Sequence, residues 1–467
     1  MTESNTPAAA GKSVKRSAWS SKWAFILAGA ASAVGLGNLW RFPYLAARYG
    51  GGMFLLTYFV LAFTVGISLL LLETALGRRT RQSVIGSFSY YNKKYRFIGV
   101  LATLVPFIIT PYYCIIGGWV TRYLAAYVVG SPSAMADGGA FFTSFITSPV
   151  GSLAFMVIFM AIVFIVVGLG VQKGIEKSNL IMMPLLIAFT IGIAIFCMVQ
   201  PGAWEGVKYY LVPDFSKFSP QLVIGALGQM FYSLSLAMGI MVTYGSYLDK
   251  KENLTAGVSY IAGFDLLVSF FAGIMIVPAA FMAMGSADAV AAGSGPSLMF
   301  ITLPQVFVDM GAAAKVIGVL FFVLVLFAAL TSAISLMEAC VSIVQDGLHF
   351  SRRKAMTIVI IIVLALGFFV DGGYSFFSFI QPMGEGSSLL DLFDFVSNSV
   401  LMPIVALLTC IFVGWVIKPK ELIDEVRSSS KFKLASVWSV MIKFICPVLL
   451  VIILIAFVGS SLGAFSI

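Results

Sequence analysis

The sequence predicts an all-α polytopic membrane protein of about eleven transmembrane helices, built as a five-plus-five inverted repeat with broken first and sixth helices. Three observations carry that expectation. The 467 residues are 60% hydrophobic and only 10% charged, with a mean hydropathy of +1.01, more apolar surface than a soluble domain buries. The apolar residues fall into runs of roughly 17–30 residues, the length a helix needs to cross a hydrocarbon core of ~30 Å. Two of those runs, the first and the sixth, are interrupted at their centres.

In chain order the spans are expected near 23–47, 53–77, 97–129, 151–171, 179–199, 221–247, 256–284, 312–346, 355–371, 391–417 and 437–463. The third and eighth are long and must tilt or protrude. A polar leader runs directly into the first span, without the pattern of a cleaved signal peptide. The corresponding organisation is a cytoplasmic N-terminal segment (1–22), a first five-helix repeat (23–199), an extracellular loop (200–220), a second repeat (221–417), a cytoplasmic loop (418–436), and an eleventh helix with the C-terminus (437–467).

Basic residues set the orientation. Lys12, Lys15, Arg16 and Lys22 precede the first span, and Arg78, Arg79, Arg81, Lys93, Lys94 and Arg96 follow the second. Lys173 and Lys177, Lys250 and Lys251, Arg352 to Lys354, and Lys418 to Lys433 continue on the same side. The opposite loops hold mainly Arg48, Lys208 and Lys217. Retention of basic loops in the cytoplasm then places the N-terminus inside the cell and, with an odd number of spans, the C-terminus outside, in the plasma (inner) membrane. The net charge of +9 is accounted for by these loops, so no nucleic-acid partner is implied.

The first interruption is Ser32-Ala33-Val34-Gly35-Leu36-Gly37-Asn38. Two glycines and an Asn are poor helix formers. Within hydrocarbon a broken helix persists only where its freed backbone groups line a cavity or meet an ion. A break here would present carbonyls of the lower half and N–H groups of the upper half at the membrane centre, able to hold a cation and an anion together. Small residues could equally serve close helix packing. A nucleotide-binding loop is excluded, because no strand precedes it and the third glycine is missing.

The sixth interruption, Ser233-Leu234-Ser235-Leu236-Ala237-Met238-Gly239, is weaker in composition but opens the second group of five spans as the first opens the first. Five is odd, so a repeated five-span unit enters from the opposite face, which is the inverted-repeat transporter plan. The loop near 285–311 is too long for a simple connection and reads as a partly re-entrant lid. His349 is the only histidine, and Cys114, Cys197, Cys340, Cys410 and Cys446 lie singly in apolar runs, leaving no metal, disulfide or nucleophile–base constellation for an enzyme.

Three segments in register make the resemblance specific. Gly35-Leu36-Gly37-Asn38-Leu39-Trp40-Arg41-Phe42-Pro43 followed by Gly50-Gly51-Gly52, then Gly228-Gln229-Met230-Phe231-Tyr232-Ser233-Leu234-Ser235, and Ala328-Ala329-Leu330-Thr331-Ser332 resemble the first, sixth and eighth spans of the neurotransmitter:sodium symporter family, most closely its shorter bacterial members. The resemblance implies sodium coupling, two sodium ions and an amino-acid substrate. One sodium site would use the Ala33 carbonyl, Asn38, Ser233 and Asp265 with the substrate carboxylate. The second would use carbonyls near Ala31, Val34 and Ala328 with the Thr331 and Ser332 hydroxyls. All are hard oxygen ligands, as this cation requires.

By the same resemblance the substrate carboxylate would face Leu36, Gly37 and the Tyr113 hydroxyl. Its side chain would enter a pocket of Ser32, Ile109, Tyr232, Ser235, Met238, Ser332 and Leu336, which suits a neutral hydrophobic or aromatic amino acid. Arg41 and Asp394 resemble an outer gate, and Arg16, Asp346 and Tyr247, with Trp19 nearby, an inner latch. Glu73 is expected to accept from unwound backbone of the sixth span. Two departures stand out: Tyr232 where Phe is usual, and Ala237 where Gly is common.

Asp265 carries weight on its own. It lies about ten residues into its span, ~15 Å deep, where a carboxylate costs ~2.5–3.5 kcal/mol and ordinarily faces an ion path or a partner. Animal members of the family carry Asn there and borrow chloride for the negative charge, so this chain is expected to be chloride-independent. The expectation as a whole is a sodium-coupled amino-acid symporter working by alternating access, a monomer or weak homodimer in the lipid bilayer. A proton-coupled permease of the same fold is the alternative, and it would not need the Thr331–Ser332 pair.

Overall fold

The computed structural model describes residues 17–130, 132–284, 297–309, 311–461 and 463. Among them, nine helices are long and apolar enough to cross a membrane: Gly52–Thr80, Lys93–Val129, Pro149–Gly168, Val171–Met198, Leu254–Met282, Ala314–Leu348, Arg352–Tyr374, Leu389–Val416 and Ala435–Ser461. A tenth span is broken, Lys22–Ala33 followed by Gly37–Arg48 with a bend of 51°. The eleventh consists of two short helices, Pro220–Ser233 and Ile240–Ser246, each too short to cross alone. The elements agree with the expected spans to within a few residues, except that the fifth begins at Val171, eight residues before the expected 179.

Local chemistry sets the ends. Ser21 caps the first helix by accepting from Ala24 N, and Ser219 caps the upper half of the sixth span by accepting from Leu222 N, with Pro220 at the first helical position. The third and eighth spans, of 34 and 35 residues, lie against each other and form the scaffold. The lower half of the first span packs on the seventh and eighth, and the lower half of the sixth packs on the second. Both breaks are thereby enclosed by continuous helices.

Three segments expected as loops contain helices. Residues 200–220 include the helix Ala203–Leu211, and 418–436 include the helix Pro419–Arg427. The latter is amphipathic: Leu422, Glu425 and Val426 are buried, and the helix packs on the C-terminal part of the second span. Arg78, fully buried, donates from Nε to Glu425 Oε1 at 2.8 Å and from Nη1 to Glu252 O at 2.8 Å and Ser429 Oγ at 3.0 Å. Arg79 adds an ion pair to Glu421 at 2.6 Å. A buried guanidinium with its donors paired tolerates its desolvation. Within the expected lid, the described part holds the short apolar helix Leu298–Val308; the rest of that segment lies outside the described residues.

Candidate functional site

The first helix stops at Ala33, and Val34 leaves the helical region at φ −79, ψ 93. Stopping there frees the carbonyls of the last turn, which need other partners. The Ser32 carbonyl accepts from the Ser235 hydroxyl at 3.0 Å and the Ser332 hydroxyl at 3.2 Å. On the upper side, Gly35 N donates to Asn38 Oδ1 at 2.9 Å, and Leu36 N donates to the Tyr113 hydroxyl at 3.3 Å. The break therefore presents a carbonyl below and N–H groups above, answered by Asn38 of the same span and by side chains of the third, sixth and eighth spans.

The second break is held in an unusual backbone. Ser235 and Ala237 adopt φ of +52 and +59, followed by Gly239 at +72. The first two lie in the left-handed region, which costs an L residue with a Cβ roughly 1–2 kcal/mol. Glu73 accepts from Ala237 N at 2.6 Å through Oε1, supplying the acceptor that a helix would have provided.

A single cavity joins the two breaks. It is lined by Ser32, Ile109, Tyr113, Tyr232, Ser235, Met238, Ser332 and Leu336 together with Gly37, Ala33, Asn38 and Ser233. Gly35 and Ile240 also line it and were not anticipated. Leu36 is not among the lining residues; its N–H donates to the hydroxyl of Tyr113, which is. Among the described residues no charged side chain lines the cavity. Its free space is only ≈ 20 Å³, so a bound amino acid must part the side chains, of which unbranched Met238 is the most adaptable.

Beside this cavity sits a buried polar cluster centred on Asp265. Its Oδ1 accepts from Asn38 Nδ2 at 2.7 Å and from Ser233 Oγ at 2.5 Å, and its Oδ2 accepts from Tyr58 OH at 2.8 Å. Asn38 Nδ2 also lies 2.8 Å from Ser269 Oγ. Ser269 is one helical turn from Asp265, a spacing visible in sequence. Tyr58 comes from another span and carried no such signal. Oxygen atoms dominate the cluster, a donor set that fits a hard cation and not a soft one.

Around Thr331 the chemistry is similar. Thr331 Oγ1 donates to Phe327 O at 2.9 Å and Ala328 O at 3.1 Å, while Ser332 crosses to the first span. The carbonyls of Ala31 and Val34 lie at the end of the first helix, which packs on the eighth.

Outward of the cavity, Arg41 lies 5.6 Å over the Tyr232 ring. Asp394 accepts from Asn398 Nδ2 at 2.5 Å and Tyr112 OH at 3.3 Å. Arg41 thus reaches the cavity's lining through Tyr232, and it forms no direct ion pair with Asp394. On the inner side Arg16 lies outside the described residues. Trp19 Nε1 donates to Tyr244 O at 3.1 Å, and Asp346 Oδ2 accepts from Ser83 N at 2.6 Å. Tyr247 OH donates to Glu338 Oε1 at 2.7 Å, and Glu338, fully buried, pairs with Arg352 at 2.5 Å. The Glu338–Arg352 pair was not anticipated, although an ionisable residue inside an apolar run marks such a position.

The chain matches the model of the sodium:neurotransmitter symporter family over residues 16–131 and 144–462. It is 35% identical over 451 residues to an uncharacterized sodium-dependent transporter of Bacillus subtilis, covering 94% of this chain and 97% of that protein. Against an uncharacterized sodium-dependent transporter of Haemophilus influenzae it is 33% identical over 458 residues, covering 95% and 98%. Its fold superposes on the crystal structure of MhsT in complex with L-phenylalanine with a TM-score of 0.83 at 33% identity, covering 94% of this chain and 99% of that one. With two broken spans meeting at an oxygen-rich centre and a family match across nearly its whole length, the chain belongs to the sodium:neurotransmitter symporter family and is a multi-pass membrane transporter, not an enzyme.

Proposed function

We propose that the chain uses sodium entry to drive uptake of a neutral, hydrophobic or aromatic amino acid by alternating access, without requiring chloride. The observation that carries this reading is the shared wall: Asn38 and Ser233 line an uncharged cavity and also hold the Asp265 carboxylate. A cation bound there would touch both the fixed carboxylate and the carboxylate of a substrate, which couples the two binding events.

In this reading the first sodium is held by the Ala33 carbonyl, Asn38, Ser233 and Asp265, and a second by carbonyls of Ala31, Val34 and Ala328 with Thr331 and Ser332. The substrate carboxylate meets the N–H groups of Leu36 and Gly37 and the Tyr113 hydroxyl. Its side chain enters among Ile109, Met238 and Leu336, with Tyr232 as roof. MhsT's complex with L-phenylalanine supports this size and class. Arg41 with Asp394 closes the outside, and Arg16 with Asp346 and Tyr247 the inside. The basic clusters support an N-terminus in the cytoplasm and a C-terminus outside. The repeats are 23–199 and 221–417, and the working unit is a monomer or weak homodimer.

The test is uptake into proteoliposomes of a labelled amino-acid panel with sodium, choline or potassium outside. Saturable uptake of hydrophobic amino acids in sodium alone is the expected result. Equal uptake in choline, driven by a proton gradient, overturns the reading in favour of a proton-coupled permease.

A further inference from the structure

At the inner ends of the last two spans the amphipathic helix Pro419–Arg427 stands away from the start of the final helix, leaving a groove of ≈ 520 Å³. Four cations line it, Lys418, Lys420, Arg427 and Lys443, against one carboxylate, Asp424. None of the four forms an ion pair among the described residues, whereas Glu421 and Glu425, the other acids of this helix, are turned away onto Arg79 and Arg78. The sequence therefore concentrates its unpaired positive charge on the groove side of the helix and neutralises the opposite side. Ser436 and Ser439 provide hydroxyls on the far wall.

The groove opens onto an apolar face. Trp415 is 56% exposed and Phe444 51%, their rings packed edge to face at 5.4 Å. Trp415 donates from Nε1 to Lys443 O at 3.3 Å and carries the Lys443 ammonium over its ring at 5.7 Å. From there Val437, Val440, Phe444, Val448, Ile452 and Ile455 continue as exposed apolar positions down the final helix, recurring at the three- and four-residue spacing of one helical face. An indole at a helix end, beside cations and above an apolar stripe, is the arrangement that positions side chains at a headgroup boundary.

We propose that this groove binds an anionic glycerophospholipid, with the phosphodiester among Lys420, Arg427 and Lys443 and the acyl chains along the Val440–Phe444–Val448 stripe. Charge complementarity selects the headgroup, since a basic pocket between spans is attractive to a phosphodiester and indifferent to a zwitterion of no net charge. The adjoining stripe selects a lipid over a soluble phosphate, because only a molecule with acyl chains gains from both surfaces. The bound lipid would rest against the Pro419–Arg427 helix, which Arg78 fastens to the second span.

The test is native mass spectrometry of the full-length chain, released from detergent and titrated with phosphatidylglycerol or phosphatidylcholine. The wild type is expected to retain one phosphatidylglycerol at a lipid concentration at least about 10-fold below that needed for phosphatidylcholine. Lys420→Ala with Lys443→Ala should lose that preference, Lys420→Arg with Lys443→Arg should keep it, and Lys93→Ala with Lys94→Ala, outside the groove, should change it by less than about 2-fold. Equal retention of the two lipids by the wild type overturns the proposal whatever the variants do. So does wild-type retention in the paired alanine variant, or displacement of the lipid by millimolar inorganic phosphate, which would mark a site for soluble anions.

Discussion

Asn38 donates from Nδ2 to Asp265 Oδ1 at 2.7 Å, tying the break of the first span to the middle of the seventh. This contact places a fixed carboxylate next to a cavity that itself carries no charge. An ionised group so deep in the protein is tolerable only with hydrogen-bond donors or a cation around it. Asn38, Ser233 and Tyr58 supply the donors, and sodium would supply the cation.

The first prediction from that charge is chloride independence. Uptake by the wild type should be unchanged when gluconate replaces chloride. Asp265→Asn keeps the shape and removes the charge, so transport should be lost or become dependent on chloride. A wild-type rate in Asp265→Asn without chloride, or collapse of the wild type in gluconate, would contradict the role given to Asp265.

Gly35 is fixed by crowding and not by its backbone angle. A Cβ there would stand 2.6 Å from Ser332 Oγ and 3.0 Å from Tyr113 OH, closer than such atoms approach. Gly35→Ala must displace the Ser332 hydroxyl and crowd the Tyr113 hydroxyl that receives Leu36 N, and substrate affinity should fall by at least about 10-fold, equivalent to 1.4 kcal/mol. Gly192→Ala, where a Cβ meets nothing within 4 Å, is the matched control. Equal scintillation-proximity binding in both variants would show that the upper break does not touch substrate.

The two breaks were legible to different degrees. The first announced itself through Gly35, Gly37 and Asn38, residues that a span avoids unless the helix ends there. In the sixth, Leu, Ala and Met conceal a backbone that turns left-handed at Ser235 and Ala237, a cost met by tertiary contacts that composition does not encode. Asp265 stood out because charge at that depth is expensive, and Ser269, one turn away, could have been added on spacing alone. Tyr58 could not, since nothing local says which span faces which. The helix Pro419–Arg427 falls in a segment whose many charges point to a loop. Yet Pro419 at its start and Leu422 with Val426 at helical spacing gave the signal.

Glu73 and Ala237 form a second testable pair. Glu73→Ala strands the Ala237 N–H in a buried site, a loss of ~1–3 kcal/mol, and should lower the thermal midpoint together with transport. Glu73→Gln keeps an acceptor oxygen and should behave close to wild type. Adding Ala237→Gly to Glu73→Ala relieves the left-handed strain and should recover part of the midpoint. A midpoint unchanged in Glu73→Ala, followed by fluorescence-detected gel filtration after heating, would show that the hydrogen bond contributes nothing.

Thr331 and Ser332 test the second sodium site separately from folding. Thr331 Oγ1 donates to carbonyls of its own helix, at 2.9 and 3.1 Å, local bonds that contribute little to stability. Ser332 gives up one bond across to Ser32 O at 3.2 Å, a net loss of about 1 kcal/mol. Thr331→Ala with Ser332→Ala should therefore keep the protein monodisperse while raising the sodium concentration for half-maximal uptake by at least about 10-fold. Wild-type sodium dependence in that variant would remove these hydroxyls from the ion path.

Substrate class is the prediction with the widest consequence. The cavity offers Ile109, Met238 and Leu336 to a side chain, with hydroxyls of Ser32, Ser235 and Ser332 nearby and no charged group among its lining residues. A Lys, Arg, Asp or Glu side chain would be desolvated there without a partner, at a cost of several kcal/mol. Aliphatic and aromatic side chains meet no such penalty, and Met238 can adjust to several sizes. Charged amino acids should therefore compete at least ~100-fold more weakly than leucine, methionine or phenylalanine against a bound hydrophobic one, a ratio that ~2.7 kcal/mol already supplies. Volume is the remaining term. Ser32 and Ser235 face each other at 3.2 Å, so Ser32→Leu should exclude the aromatic substrates first and the smaller aliphatic ones least. Ser235 is the poorer site for that substitution, because its φ of +52 adds backbone strain to any larger side chain. If lysine or glutamate competes as well as leucine, or if Ser32→Leu weakens all substrates equally, the side chain of the substrate lies somewhere other than between these residues.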